Sequence, residues 1–379
     1  MYIKIPLLVM LLFFAHSYTV AANEEEQMID FTEVNQFWDE LYEQYDQFLP
    51  QFERQTLHDL LQSDFSFLST DLFRSLIKFI FQELFEHVHL LSVLIFIAIF
   101  CAFIQLLQNS FSNESVGKIA YAVVFIVLVM VGLNNFHIAA QYSLQTIETM
   151  TNFLHALLPI FLALLTTTGG VTSSIFFHPL LMFLIQTSGF VIKNIVLPLL
   201  FFSTVLGVIS ILSNQVKVSK LASLFRKVSI GILIGFFTMI IGILTVRGAA
   251  TSIADGVAMK TTKFIAGHAI PVVGGMFTEA ADTVLTMSLM LRNTVGVVGA
   301  FLLFLITAFP AIKILIISFL FQLAAVLIEP ISDGKLTESF QILSNSMFYI
   351  FASLAIVSFM FIISLILLIV SGNLILMVS

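Results

Sequence analysis

The sequence predicts an all-α, polytopic helical membrane protein of seven to nine spans, with an N-terminal amphipathic-helical extracytoplasmic arm. Three observations predict it. Of 379 residues, 59% are hydrophobic and only 10% charged, with a mean hydropathy of +1.05, where a soluble domain carries roughly 25% charged residues. Several uncharged runs approach the about 20 residues that a membrane helix needs, and none alternates as the strands of a transmembrane barrel do. Acidity is confined to one segment. Residues 23–87 hold fifteen Asp/Glu and three Lys/Arg, whereas residues 88–379 hold eight acids and twelve bases.

The first element is a signal peptide, residues 1–22. Lys4 precedes an apolar run from Ile5 to Ala15, and the small residues Val20 and Ala22 suit cleavage before Asn23. An uncleaved anchor is the alternative, disfavoured by the shortness of the run. The acidic arm, 23–87, follows. Phe31, Val34, Trp38, Leu41, Tyr45 and Phe48 recur at spacings of 3, 4, 3, 4, 3, one face of a helix that Asp30 can cap and Pro50 ends. A second amphipathic helix starts near Thr70-Asp71 and places Phe73, Leu76, Ile77, Ile80 and Leu84 on one face. These stripes can dock on a partner, on the membrane surface, or back on their own neighbours. Membrane-surface helices are usually basic, so an external contact would be with protein.

The membrane domain, 88–379, has apolar segments near 88–108, 119–137, 153–168, 177–192, 195–213, 228–246, 295–310, 311–328 and 347–370. Pro159 interrupts a short segment, and only Lys193-Asn194 separates 177–192 from 195–213. Re-entrant hairpins at these places would lower the count from nine to seven. Lys217, Lys220, Arg226 and Lys227 share a loop without acids, which marks it as cytoplasmic. Five crossings from an exported arm deliver that loop to the cytoplasm, and nine bring the C-terminus there too. Arg247, Lys260 and Lys263 against Asp255 then fall outside, a conflict that a re-entrant 228–246 would remove. Cys101, the one cysteine, lies inside a span and reads as a packing residue. Gly231, Gly235, Thr238 and Gly242 share a helix face and read first as tight packing within the bundle, second as an oligomer contact.

One stretch does not read as a membrane helix. Residues 268–299, a re-entrant or interfacial element, hold Pro271, Gly274, Gly275, Glu279, Asp282 and Arg292. Ionisable and helix-breaking residues at such a place face a partner or an aqueous cavity. Glu279 and Asp282 are three apart and share a helix face. Three readings apply: a solvated first-turn pair complementing the helix dipole, an aqueous path or partner contact, and an acid/base couple. Arg292, next to an apolar span, reads as an interfacial anchor in preference to a buried ion pair. The stretch has no nucleophile beside a base. The histidines do not cluster as metal ligands, and Gly169-Gly170 is too isolated for a phosphate loop. No enzyme activity, cofactor or metal is therefore expected. The basic loop suits anionic lipid better than nucleic acid.

Residues 179–227 resemble the stage III sporulation protein AE family of endospore-forming bacteria. So does the stretch from Gly231 on, most specifically Ile270-Pro271-Val272-Val273-Gly274-Gly275-Met276-Phe277 with Ala280-Ala281-Asp282-Thr283. The resemblance implies a subunit of a channel or secretion complex between mother cell and forespore, needed for late forespore gene expression and set in the outer forespore membrane. It also implies partners: other stage III sporulation A-operon proteins (an ATPase, ring-forming and membrane subunits) and a forespore-made ring protein. The alternative is a secondary transporter for a small solute, for which corresponding broken helices in two halves would be needed; no internal repeat supports it. If the acids line a path, Glu279→Ala with Asp282→Ala abolishes sporulation while assembly survives. Normal spore yield from the double variant would leave only the solvated-face reading.

Overall fold

The structure is a computed structural model that describes residues 32–45, 47, 68–110, 114–212, 218–269, 273–331 and 334–378. The expected signal peptide, Lys217, Pro271 and much of the arm lie outside the described residues. So do the side chains of residues 265–284, among them Glu279 and Asp282.

Described residues form helices and no strands. Two belong to the arm, α1 (Thr32–Tyr45) and α2 (Leu68–Glu86). Then come α3 (Val88–Ser110), α4 (Glu114–Thr167), α5 (Val171–Val191), a π turn (Ile192–Val196), α6 (Leu197–Leu212), α7 (Ser219–Ala269), α8 (Val273–Ile328) and α9 (Lys335–Val378). Among the described residues, six stretches are long and apolar enough to cross a membrane. The nine apolar segments of the sequence are distributed over these six. Segments 119–137 and 153–168 both lie on α4, and 295–310 runs into 311–328 on α8 straight through Pro310. Lys193-Asn194 does not turn the chain. Val191, Ile192 and Leu197 keep right-handed helical dihedrals, the helix widens for one π turn, and the Asn194 amide donates to the Phe190 carbonyl at 3.0 Å. Segment 228–246 is not re-entrant but part of the 51-residue α7.

Helices are what such a sequence must form, because backbone amides in an apolar surround need partners within their own segment. The hydroxyls follow the same logic by donating to carbonyls one turn back, as Thr146 does to Tyr142 and Ser346 to Ile342, both at 2.7 Å. Others join neighbouring helices. Ser318 and Ser344 donate to each other's carbonyls at 2.9 and 2.8 Å, Thr204 donates to Ser346 at 2.7 Å, and Thr307 lies 2.8 Å from Ser358. Each such bond is worth about 0.6 kcal/mol. Small residues bring helices close: a side chain at Gly132 would strike Leu343, and one at Gly299 would strike Leu157. The sequence reading put Gly231, Gly235 and Gly242 in this role, and that is corrected. Among the described residues a Cβ at any of the three would meet nothing within 4 Å, and all three are exposed.

The arm stripe folds back onto its own chain. Val34, Trp38, Leu41 and Tyr45 are buried, Phe37 meets Phe153 edge-on at 5.5 Å, and Tyr45 stacks on Phe309 at 4.0 Å. The seat lies where α4 is polar (Gln141, Gln145, Thr146, Glu148, Thr149), between its two apolar segments. On α2 the inward face is offset from the predicted stripe. Phe79 and Glu83 are buried, whereas Ile77 is exposed.

Helix α7 tests this topology. Lys220 and Lys260 are both exposed near its two ends, about 60 Å apart at 1.5 Å per residue, twice a hydrocarbon core of about 30 Å. With Cys101 replaced by Ala, Lys220→Cys and Lys260→Cys are expected to react with an impermeant thiol reagent from opposite sides of the membrane. Labelling of both from one side would contradict a crossing by α7. Ser252 is unsuited to such labelling, being fully buried and bonded to the Gly248 carbonyl at 2.7 Å.

Candidate functional site at a buried hairpin tip

Helices α4 and α5 form a tight hairpin, and its tip gathers the most deeply buried charges described in the bundle. The chain stops being helical at Thr168. Gly169 takes φ +80°, the left-handed conformation glycine adopts without penalty. The Gly170 amide then donates to the Leu165 carbonyl at 2.9 Å and the Gly169 amide to Thr166 at 3.0 Å, the paired bonds of a Schellman C-cap. A side chain at Gly169 would also strike Met259.

Starting α5 immediately afterwards leaves first-turn amides without acceptors. Gly170, at the N-cap, has no side chain to offer. Asp255 of α7 substitutes from more than eighty residues away. Its carboxylate accepts from the Thr172 amide at 2.9 Å and the Ser173 amide at 2.7 Å, with 3% of the residue exposed. A carboxylate at a helix N-terminus also meets the positive end of the helix dipole. Gly248, Ser252, Asp255 and Met259 recur one helical turn apart on α7. Three contacts fix this face toward the hairpin: the Asp255 bonds, the closeness of Met259 to Gly169, and that of Gly248 to the Phe177 ring.

Arg292 reaches the tip from α8. The sequence reading placed it at an interface; it is instead fully buried, at 0% exposure. Its Nη1 donates to Thr168 Oγ1 at 3.1 Å and its Nη2 to the Ile369 carbonyl of α9 at 3.4 Å. Gly296, one turn on, allows the approach, since a Cβ there would collide with Ile369 and crowd Phe161. The arginine thus ties α8 to the hairpin and to α9.

The other expected residues are dispersed. Gly274, Gly275, Glu279 and Asp282 fall within the first turns of α8. In the basic region Lys220 and Lys227 are exposed, and the Arg226 guanidinium lies over the Tyr349 ring at 5.4 Å. Sequence reasoning missed Asp255 and Thr168. The signals were an isolated acid in 247–263 and a Gly-Gly pair after three threonines.

A second charged cluster holds the arm. Glu83 lies 3.9 Å from Lys313 Nζ of α8, and His87 Nδ1 approaches the Glu83 carboxylate at 3.5 Å and the Glu83 backbone carbonyl at 3.1 Å. Burial raises the Glu83 pKa above the ordinary carboxylate value, while Lys313 and His87 draw it back. Burial likewise pushes the Tyr45 hydroxyl up, with Glu83 adding to it.

Chemically, the tip holds a carboxylate engaged by amides and a guanidinium engaged by a hydroxyl and a carbonyl. Such groups fix geometry. Among the described residues, no three His, Cys, Asp or Glu gather as metal ligands do. Replacing Asp255 is expected to cost what a lost helix cap costs, about 1–2 kcal/mol. In detergent, Asp255→Ala should melt at lower temperature than Asp255→Asn, which keeps one acceptor oxygen. Equal melting of both variants and the parent would contradict the cap.

The model of a protein family described as stage III sporulation protein AE matches residues 52–372 of this chain. Stage III sporulation protein AE of Bacillus subtilis (strain 168) is 43% identical over 346 residues, covering 91% of this chain and 87% of that relative. No solved structure matches.

Proposed function

Since the chain belongs to the stage III sporulation protein AE family, we propose that it is a non-enzymatic integral membrane subunit of a channel or secretion complex joining mother cell and forespore. A sporulation role follows from the family itself. Complex membership, the outer forespore membrane as its site and support of late forespore gene expression are the finer parts of this reading. The single observation that carries it is the family match across residues 52–372. The helical bundle supports it, because its described buried charges are used in holding helices together. Its partners are then the other stage III sporulation A-operon proteins, an ATPase and ring-forming and membrane subunits among them, together with a forespore-made ring protein.

The orientation in this reading takes the arm as exported and then follows the helix order. With the arm exported, α3, α4 and the α5–α6 unit make three crossings, which bring Lys217, Lys220, Arg226 and Lys227 to the cytoplasm as the Lys/Arg rule requires. Six crossings return the C-terminus to the side of the arm, not to the cytoplasm as nine would. Residues 247–263 keep to the arm's side, where Asp255 is occupied at the hairpin tip and Lys260 is exposed. In this reading the start of α8, with Glu279 and Asp282, is a contact or gating element at the same end.

Mild detergent extraction from sporulating cells tests the proposal. The tagged protein is expected to bring down other stage III sporulation A-operon proteins in fixed ratio. Recovery of a lone protein that moves solute across liposomes would contradict it and favour a transporter.

A further inference from the structure

Beneath the arm lies a cavity of about 220 Å³, walled by α1, the polar middle of α4 and the Pro310–Lys313 region of α8. At about 30 Å³ per water it has room for several waters or one small solute. Among the described residues its charged groups are two, and they come from different elements. Lys313 projects from α8, with the nearest described carboxylate, Glu83, 3.9 Å away and the Phe79 and Tyr142 rings at 5.9 and 5.7 Å. These neighbours leave the ammonium's three donors short of close acceptors. Glu40, exposed on α1, is the acid of the lining.

The hydroxyls on the α4 wall add a polarity. Thr146 and Thr149 donate to carbonyls of their own helix at 2.7 and 3.1 Å, so toward the cavity they present lone pairs only. Glu40 of α1 and the two α4 hydroxyls therefore offer acceptors, Lys313 offers charged donors, and the neutral Gln44 and Gln145 amides offer both. A dianion would meet one base and one acid, and a simple cation would meet the lysine. The complement of this lining is a molecule with one carboxylate and one ammonium, small enough for the space.

We propose that this cavity is a binding site for a small zwitterion of the amino-acid class, its carboxylate on Lys313 and its ammonium on Glu40 and the Thr146 and Thr149 hydroxyls. Because Lys313 belongs to the bundle and Glu40 to the arm, the bound molecule bridges the two and holds the arm in its seat. The inference goes beyond complex membership and is tested on the isolated chain.

The test is equilibrium dialysis of the full-length, detergent-purified protein with radiolabelled L-glutamine. Saturable binding is expected, displaced by unlabelled glycine but not by equal concentrations of acetate or methylammonium, each of which carries one of the two charges. Lys313→Met should weaken binding at least tenfold. Glu40→Gln, at an exposed position, should weaken it about tenfold with unchanged helical content and elution, which keeps the test informative if the lysine variant misfolds. Absence of saturable binding overturns the proposal. So does acetate competing as well as glycine, or affinity indifferent to both substitutions.

Discussion

Turning a chain around inside an apolar bundle exposes the polar ends of two helices at once, and the architecture rests on how those ends are satisfied. At the α4–α5 tip the C-terminal carbonyls are closed by a glycine-based Schellman cap, and the N-terminal amides by Asp255. Had the amides been left bare, each would cost the desolvation of a buried donor, about 1–3 kcal/mol. The cap requires α7 to run alongside the hairpin in one register, which Gly248 and Ser252 permit on the same face. Arg292 then fastens the turn to α8 and α9 through a hydroxyl and a carbonyl. Four sequence-distant elements are thereby fixed by a handful of hydrogen bonds.

The same constraint explains where the arm sits. Glu83 can be buried because Lys313 and His87 stand beside it, and the aromatic stack of Tyr45 on Phe309 covers the group. The polar middle of α4, between its two apolar segments, accommodates acidic and apolar side chains of the arm together. Among the described residues the Gly231–Gly242 face of α7 meets no such partner and is exposed. The described buried charges are thereby engaged within the chain, at the hairpin tip and beneath the arm.

Much of this was legible in the sequence, because hydropathy and helical spacing are local properties. The apolar segments fall on helices, and the α1 stripe of Val34, Trp38, Leu41 and Tyr45 is buried as its periodicity requires. Continuity was harder to read. A polar pair such as Lys193-Asn194 resembles a loop, but a helix absorbs it through a π turn and a side-chain bond to the preceding turn. The α2 face was misread because an acid, Glu83, is turned inward by charges that lie elsewhere in the chain. Asp255 was illegible for a similar reason: its partners are amides more than eighty residues away, and backbone groups carry no sequence signal. Arg292 looked like an interfacial anchor since its acceptors, Thr168 and the Ile369 carbonyl, are equally remote. The glycines of α7 misled in the other direction, as small-residue spacing cannot tell a packed face from an open one.

The most direct test is to measure membrane abundance and spore yield together for Arg292→Leu, which removes the buried charge and both described hydrogen bonds. If the tip is architectural, abundance falls and spore yield falls with it. Normal abundance with lost spore yield would contradict that role and make Arg292 a functional group of the passage itself.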